Sequence, residues 1–267
     1  MKGRGLHMYK GKTALITGAS SGIGASFAHE LAAKGMNLIV VARSEDKLQK
    51  LANTLTTKYK VRVDAVIADL TEEHAAQVVY NCVKELHLNV DLLVNNAGVA
   101  SYGLFEELDL KRQQNEIKLN VLTVVSLTHL FLQDMLKRKK GAIINVASTS
   151  GFQPMPYMAV YSATKSFVVS WSEALWAETR DKGISVVTLS PGRTDTNIFE
   201  VMGNDGGGLG KKTLPINVVR TGLRALEKGK MTVVDGKGNY WRSQVYRFLP
   251  RKAVVSLIYC LFGKSAS

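Results

Sequence analysis

Short runs of aliphatic and β-branched residues alternate with longer stretches of helical period along most of the chain, and this limits its fold more than any other feature. The runs are Thr13–Thr17, Leu38–Ala42, Val63–Ala68, Leu92–Asn95, Ala142–Val146, Ser185–Leu189 and Met231–Val234. Helical period is read near 22–34, 44–57, 72–87, 111–138, 157–181 and 215–228. Several runs are apolar almost throughout, as expected of strands covered on both faces. Alternation of this kind predicts an α/β fold: a doubly wound parallel sheet with right-handed crossovers and helices on both faces. In such sheets ligands bind beyond the carboxyl ends of the strands.

At 267 residues and 46% hydrophobic content the chain is long enough for one sizeable core, so a single domain is expected. Its expected extent is 12–248, preceded by a leader over 1–11 and followed by a basic and apolar tail over 249–267. The net charge of +13 is concentrated at the two ends, and the body between them is nearly neutral. A nucleic-acid-binding body would carry its basic residues there, so no nucleic-acid partner is expected. The two cysteines, Cys82 and Cys260, form neither a disulfide framework nor a metal cluster, and are expected to be buried or half-buried thiols in a reducing compartment. The N-terminus shows no signal-type apolar core, and no run of about 18 apolar residues is read. A soluble, cytoplasmic protein without a bound metal is expected.

The first strand leads into Thr17-Gly18-Ala19-Ser20-Ser21-Gly22-Ile23-Gly24 and then directly into a helix. Gly18 allows the tight turn, Gly22 allows close backbone approach to a pyrophosphate, and Gly24 allows the helix to pack on the strand. The helix N-terminus offers free N–H groups to the anion. Alone, a glycine triplet is more often an ordinary turn; its place at the first strand–helix junction favours a dinucleotide. The second strand ends in Arg43-Ser44 rather than in the acid that binds a free ribose 2′-hydroxyl, which favours a 2′-phosphate and so NADP(H). Arg43 as a solvated residue opening a helix is the plain alternative. Ser20 and Ser44 could add hydroxyl donors. Asp69 either accepts from an adenine amino group or caps the helix at Thr71, and the two roles are compatible.

Tyr161 and Lys165 are four residues apart within a helical stretch, so they share one face. A phenol is a poor acid–base catalyst near neutrality, and an adjacent ammonium favours its phenolate. A surface lysine beside a half-buried tyrosine gives the same spacing without function. Ser148 follows the fifth strand, where a hydroxyl can donate to a substrate oxygen as charge develops. Asn120 is an amide within an apolar helical stretch. There it either makes a helix-bending hydrogen bond or holds a water linking Lys165 to solvent.

Taken together, the glycine turn at 17–24, Asn95-Asn96-Ala97-Gly98, Asn120, Ser148, Tyr161/Lys165, Pro191-Gly192 and Thr196 resemble the short-chain dehydrogenase/reductase family in its compact single-domain branch. The resemblance covers roughly 12–200 and implies a Rossmann-like fold. It implies that Tyr161 is the general acid and base, that Lys165 binds ribose and lowers the phenol pKa, that Ser148 orients a carbonyl, and that Asn120 completes a proton relay. The cofactor contacts it implies, with those read above, are Gly18, Ser20, Ser21, Gly22, Ile23, Gly24, Arg43, Ser44, Asp69, Leu70, Asn96, Ala97, Gly98, Tyr161, Lys165, Pro191, Gly192, Thr194 and Thr196. It also implies a small-molecule carbonyl or alcohol substrate and a homodimer or homotetramer through the helices near 111–138 and 157–181. A sensor or scaffold on this fold would be expected to lose Tyr161 or Lys165, and an epimerase to carry a differently spaced glycine turn.

Beyond Thr196 the resemblance loosens. Phe152, Met155, Pro156, Tyr157 and Phe199 offer apolar surface near the strand ends and suit a hydrophobic substrate, although core packing explains them equally. The glycine-rich segment 203–210 is either a lid or a loose loop. In the tail, 254–262 is too short to span a bilayer. It is expected to pack on a partner subunit or to lie on an anionic membrane surface.

Overall fold

In the computed structural model, which describes residues 6–198, 202 and 212–263, seven strands form one sheet. They are β1 (Thr13–Thr17), β2 (Asn37–Ala42), β3 (Val63–Ile67), β4 (Leu92–Asn95), β5 (Gly141–Val146), β6 (Ile184–Ser190) and β7 (Thr232–Val234). Their order is β3-β2-β1-β4-β5-β6-β7 and every pairing is parallel. The helices are α1 (Leu6–Tyr9), α2 (Gly22–Ala33), α3 (Glu45–Tyr59), α4 (Ala75–Glu85), α5 (Leu110–Ile117), α6 (Thr123–Arg138), α7 (Ala159–Thr179), α8 (Pro215–Glu227), α9 (Lys237–Val245) and α10 (Arg251–Gly263). The expected doubly wound α/β architecture is therefore present.

Side chains alternate across each strand, so one sheet supplies two cores. Ala14, Ile16, Leu38 and Val40 pack with residues of α2, α3 and α8, including Phe27, Leu48 and Leu223. Leu15, Ile39, Val41 and Leu93 face the other way, against Val79 of α4, Phe131 of α6 and Leu175 of α7. All five residues of β1 are buried, which explains its uninterrupted apolar reading.

Three differences from expectation stand out. The helix expected over 111–138 is divided: a π-helical turn at Lys118–Leu122 separates α5 from α6 and carries Asn120. The whole helical stretch Leu110–Arg138 is long and apolar enough to span a bilayer by composition, but α6 lies on the sheet with Leu127, Phe131 and Met135 in its core. At the N-terminus, Tyr9 is buried and its hydroxyl donates to Glu227 at 3.0 Å, so the expected leader over 1–11 extends too far into the folded body. Cys260 is exposed, contrary to expectation, and Cys82 is half-buried.

A chain of buried amides crosses the middle of the sheet. Asn95 Nδ2 donates to Thr128 Oγ1 at 2.9 Å and to Asn145 Oδ1 at 2.8 Å, and Asn145 Nδ2 donates to Ser172 Oγ at 2.9 Å. These bonds tie β4 and β5 to α6 and α7, the elements that carry the polar residues at the strand ends. Asn145→Ala should therefore lower unfolding free energy by about 2–3 kcal/mol, because buried polar groups lose their partners. Urea denaturation measures this, and a loss below about 0.5 kcal/mol, the level of an ordinary surface change, would assign the network no structural weight.

Candidate active site

The glycine turn leaves β1 with Gly18 at φ +66° and Gly22 at φ +55°, backbone conformations that favour glycine. A methyl group on Gly24 would come within 2.1 Å of the Gly18 carbonyl oxygen, so the helix starts as close to the strand as a backbone allows. Across the turn, Thr17 Oγ1 accepts from the main-chain N–H groups of Asn96 and Ala97, each at 3.0 Å. Asn96 Nδ2 in turn donates to the Thr17 carbonyl at 2.9 Å. The Asn96 side chain thus holds the turn in shape. A β-carbon on Gly22 would lie 2.9 Å from Thr196 Cγ2, which sets the loop after β6 beside the turn. In that loop Thr194 Oγ1 donates to the Gly192 carbonyl at 3.0 Å, and Pro191 accepts from Thr149 N at 2.9 Å.

Ser21 stands at the N-cap of α2 without a side-chain cap bond and is exposed, while Ser20 and Ile23 are half-buried. Arg43 and Ser44 are exposed at the end of β2. Arg43 Nη1 lies 3.7 Å from Asp69 Oδ2. Asp69 Oδ1 accepts from Thr71 N at 2.9 Å and from Thr71 Oγ1 at 2.8 Å. Burial raises the Asp69 pKa, but the Thr71 bonds and the Arg43 cation outweigh it and hold the carboxyl below its usual range. The bonds to Thr71 are those of a cap, yet α4 begins only at Ala75, later than expected. Leu70 is buried, and its carbonyl accepts from Thr123 Oγ1 at 2.6 Å. The groups at this edge fit a dinucleotide: three glycines where side chains would collide, a helix N-terminus, and a guanidinium at the end of β2.

Tyr161 and Lys165 lie one turn apart on α7, with the ammonium 5.8 Å from the phenol ring centre. Lys165 is 5% exposed and donates to the Val146 carbonyl at 3.0 Å. Gly98 leaves room for it, since a β-carbon there would stand 3.4 Å from Nζ and 3.0 Å from Asn120 Oδ1. Ser148 opens a 3₁₀ turn at Thr149–Phe152, and its Oγ accepts from Ser150 N at 3.1 Å, leaving its own hydrogen to donate. Burial pushes the Tyr161 phenol up to about 12; the Ser148 hydroxyl beside it pulls it down, and the Glu116 carboxylate adds to the rise. Burial brings the Lys165 ammonium down to about 8, opposed by Glu116.

Asn120 is buried in the π-helical turn. Its amide bonds Val99 on both main-chain groups, accepting from N at 3.0 Å and donating to O at 2.9 Å, and donates to Thr164 Oγ1 at 3.1 Å. The side chain therefore pins the loop after β4 against α7.

Tyr161 opens onto a cavity of about 240 Å³, also lined by Ser101, Leu104, Phe105, Gln113, Tyr157 and Tyr259. Of the apolar residues expected near a substrate, Pro156 and Tyr157 line this cavity; Phe152 and Met155 line a neighbouring groove, with Pro156 shared. Phe199 and the 203–210 segment lie outside the described residues. The tail departs most from expectation. Val254 and Ile258 of α10 are buried against Met155, Met158 and Tyr161 of the same chain. Tyr259 stacks on Tyr157 at 5.5 Å, and Tyr157 on Tyr102 at 5.8 Å. Sequence reasoning also missed Glu116, Gln113 and Ser101. Glu116 precedes Asn120 by one helical turn, so the spacing rule that pairs Tyr161 with Lys165 also places it toward the site.

Residues 12–205 match the short chain dehydrogenase family. Among curated relatives, the very-long-chain 3-oxoacyl-CoA reductase of Bos taurus is 37% identical over 204 residues, 74% of this chain and 64% of that protein. The chain thus spans less than two-thirds of that relative's length. A short-chain dehydrogenase from Sphingobium yanoikuyae, solved in complex with NADPH, superposes with a TM-score of 0.81 at 32% identity, covering 87% of this chain and 91% of the other. The bulky-bulky ketone specific alcohol dehydrogenase from Comamonas testosteroni superposes at 0.77 with 30% identity, over 88% and 92% of the two chains. With the glycine turn, Ser148, Tyr161 and Lys165 at the strand ends, these matches make the chain a member of the short-chain dehydrogenase/reductase family of oxidoreductases.

Proposed function

We propose that the chain is an NADP(H)-dependent carbonyl reductase acting on a ketone with an apolar body, with Tyr161 as the proton donor. The observation that carries this reading is the meeting of Tyr161, Ser148 and Lys165 at the C-terminal edge of the sheet, with the phenol facing a largely apolar cavity. When bound, the nicotinamide supplies the hydride chemistry; the protein supplies orientation and electrostatics. Ser148 donates its hydroxyl hydrogen to the carbonyl oxygen and Tyr161 protonates that oxygen as charge develops on it. Lys165 stabilises the resulting phenolate through its positive charge and offers donors to ribose hydroxyls. A phenol held up by burial is protonated at neutral pH, the state a reductase needs at the start of each turnover.

Arg43 supports NADP(H) as the cofactor: it is exposed at the end of β2, and its planar guanidinium can fork onto a 2′-phosphate. Asp69 beside it holds the guanidinium at this edge. For the substrate, Leu104, Phe105 and Tyr259 favour an apolar chain or ring system, and the 3-oxoacyl chemistry in the name of the bovine relative is of that kind. Self-association through the outer faces of α6 and α7 belongs to the same reading, with Phe167 exposed on α7.

Tyr161→Phe should lower kcat for ketone reduction by at least a thousandfold while leaving NADPH affinity within about threefold, because the phenol acts on the reacting oxygen. NADPH absorbance against a panel of long-chain 3-oxoacyl thioesters, steroid-like and small ketones gives the rate. Turnover near wild type in that variant would exclude Tyr161 as the acid. Arg43→Ala should raise the KM for NADPH by about 10–100-fold, the range of a lost charge-assisted contact, with little change for NADH. A wild-type enzyme preferring NADH tenfold would overturn the cofactor assignment.

A further inference from the structure

Residues 236–267 carry Lys237, Arg242, Arg247, Arg251, Lys252 and Lys264 and no acidic side chain. Between α9 and α10, Arg247 N donates to the Gln244 carbonyl at 3.0 Å and Phe248 N to the Val245 carbonyl at 3.1 Å, which carries the winding of α9 on to Phe248. Trp241, Val245 and Phe248 are spaced four and three apart, so they lie along one stripe of that winding. All three stand in water, at 67%, 48% and 85% exposure. Leu249 beside them is exposed as well, and so are Leu257 and Leu261, four apart on α10. Ser243 of α9 and Val254 and Ile258 of α10 are buried, so both helices are anchored on the body while these apolar side chains face outward.

The cations stand close by. Arg247, Arg251 and Lys252 bracket Phe248 and Leu249 in sequence, and all three are exposed. Arg247 and Arg251 line one groove with Glu173, whose carboxylate is already engaged by Thr232 Oγ1 at 2.8 Å. Among the described residues, no ion pair neutralises Arg247, Arg251 or Lys252.

We propose that the α9–α10 surface around Phe248 docks on an anionic lipid bilayer. Trp241, Val245, Phe248 and Leu249 enter the headgroup layer, and Arg247, Arg251 and Lys252 meet lipid phosphates. A bilayer surface rewards both halves of this patch at once: its interior takes the apolar side chains and its negative potential takes the cations. A second copy docked through the same patch about a twofold axis would bring each basic cluster toward its equivalent, which like charges oppose. Nucleic acid would satisfy the cations but leave Val245, Leu249, Leu257 and Leu261 in water. The docking needs no substrate and stands apart from the reductase reading. The two meet in α10, because Tyr259 of that helix lines the cavity onto which Tyr161 opens.

The test is co-sedimentation of the full chain with vesicles of phosphatidylcholine alone and of phosphatidylcholine with about 30% phosphatidylglycerol. The protein should be retained by the anionic vesicles, weakly or not at all by the neutral ones, and released by about 0.5 M salt. Phe248→Ser and the double variant Arg251→Gln/Lys252→Gln should each weaken retention by about tenfold or more, with thermal unfolding unchanged because these side chains are exposed. Trp241 emission should shift to shorter wavelength on anionic vesicles, a change absent from Trp241→Phe; this reading holds even where a variant fails to fold. No retention by anionic vesicles, or retention indifferent to both salt and Phe248→Ser, would overturn the proposal. Concentration-dependent self-association that Phe248→Ser abolishes, without vesicle binding, would assign the patch to a second copy. Binding of a single-stranded oligonucleotide with vesicles left unbound would assign it to nucleic acid, and either outcome refutes lipid docking. An inactive wild type that still binds anionic vesicles would refute the reductase reading alone.

Discussion

The rest of the site is arranged around one ammonium group buried at the end of a parallel sheet. Taking a lysine charge out of water costs several kcal/mol unless donors, acceptors and charges around it compensate. Here the Val146 carbonyl accepts from Nζ at 3.0 Å, at the edge where the strand carbonyls point out of the sheet. Gly98 contributes by having no side chain, and Gly151 lets the main chain of Lys165 approach the loop after β5, where a β-carbon would stand 2.7 Å from its carbonyl oxygen. Glu116 adds a charge of opposite sign. Each of these features lies on a different element, so the packing of α5, α7, β5 and two loops converges on a single cation.

The dinucleotide edge is built on a similar principle, with absent side chains doing much of the positioning. Gly18, Gly22 and Gly24 bring the turn against Ala97, Thr196 and its own backbone at distances no larger residue permits. Polar side chains then lock the arrangement: Thr17 and Asn96 exchange bonds across β1 and β4, and Asn120 grips both main-chain groups of Val99. Asn96 and Asn120 therefore shape the site by holding loops in place. Their amides would be costly so deep in the fold without these partners.

On the substrate side, α10 joins the wall of the site. Val254 and Ile258 close one end of a cluster containing Met155, Met158 and Tyr161, and the Tyr102–Tyr157–Tyr259 stack links the loop after β4, the start of α7 and the tail. Such offset aromatic contacts contribute roughly 0.5–1.5 kcal/mol each beyond the area they bury. The tail thereby lines the cavity onto which Tyr161 opens, in a part of the chain that the family match over 12–205 does not cover.

Sequence alone determined what depends on local period and on residue type. The strands fell within one or two residues of their expected positions, because burial on both faces leaves an apolar run that needs no partner to be recognised. The glycine turn and the shared face of Tyr161 and Lys165 were legible for the same reason: both follow from backbone geometry over fewer than ten residues. Tertiary structure decided the rest, because it concerned who stands next to whom. Nothing local shows that Glu116 loses all contact with water, that Asp69 meets Arg43 across a strand, or that α10 folds back onto Met155 and Met158. The electrostatics of the phenol were decided there too, since a pKa is set by the dielectric and the charges within a few ångströms, and chains far apart in sequence supply both.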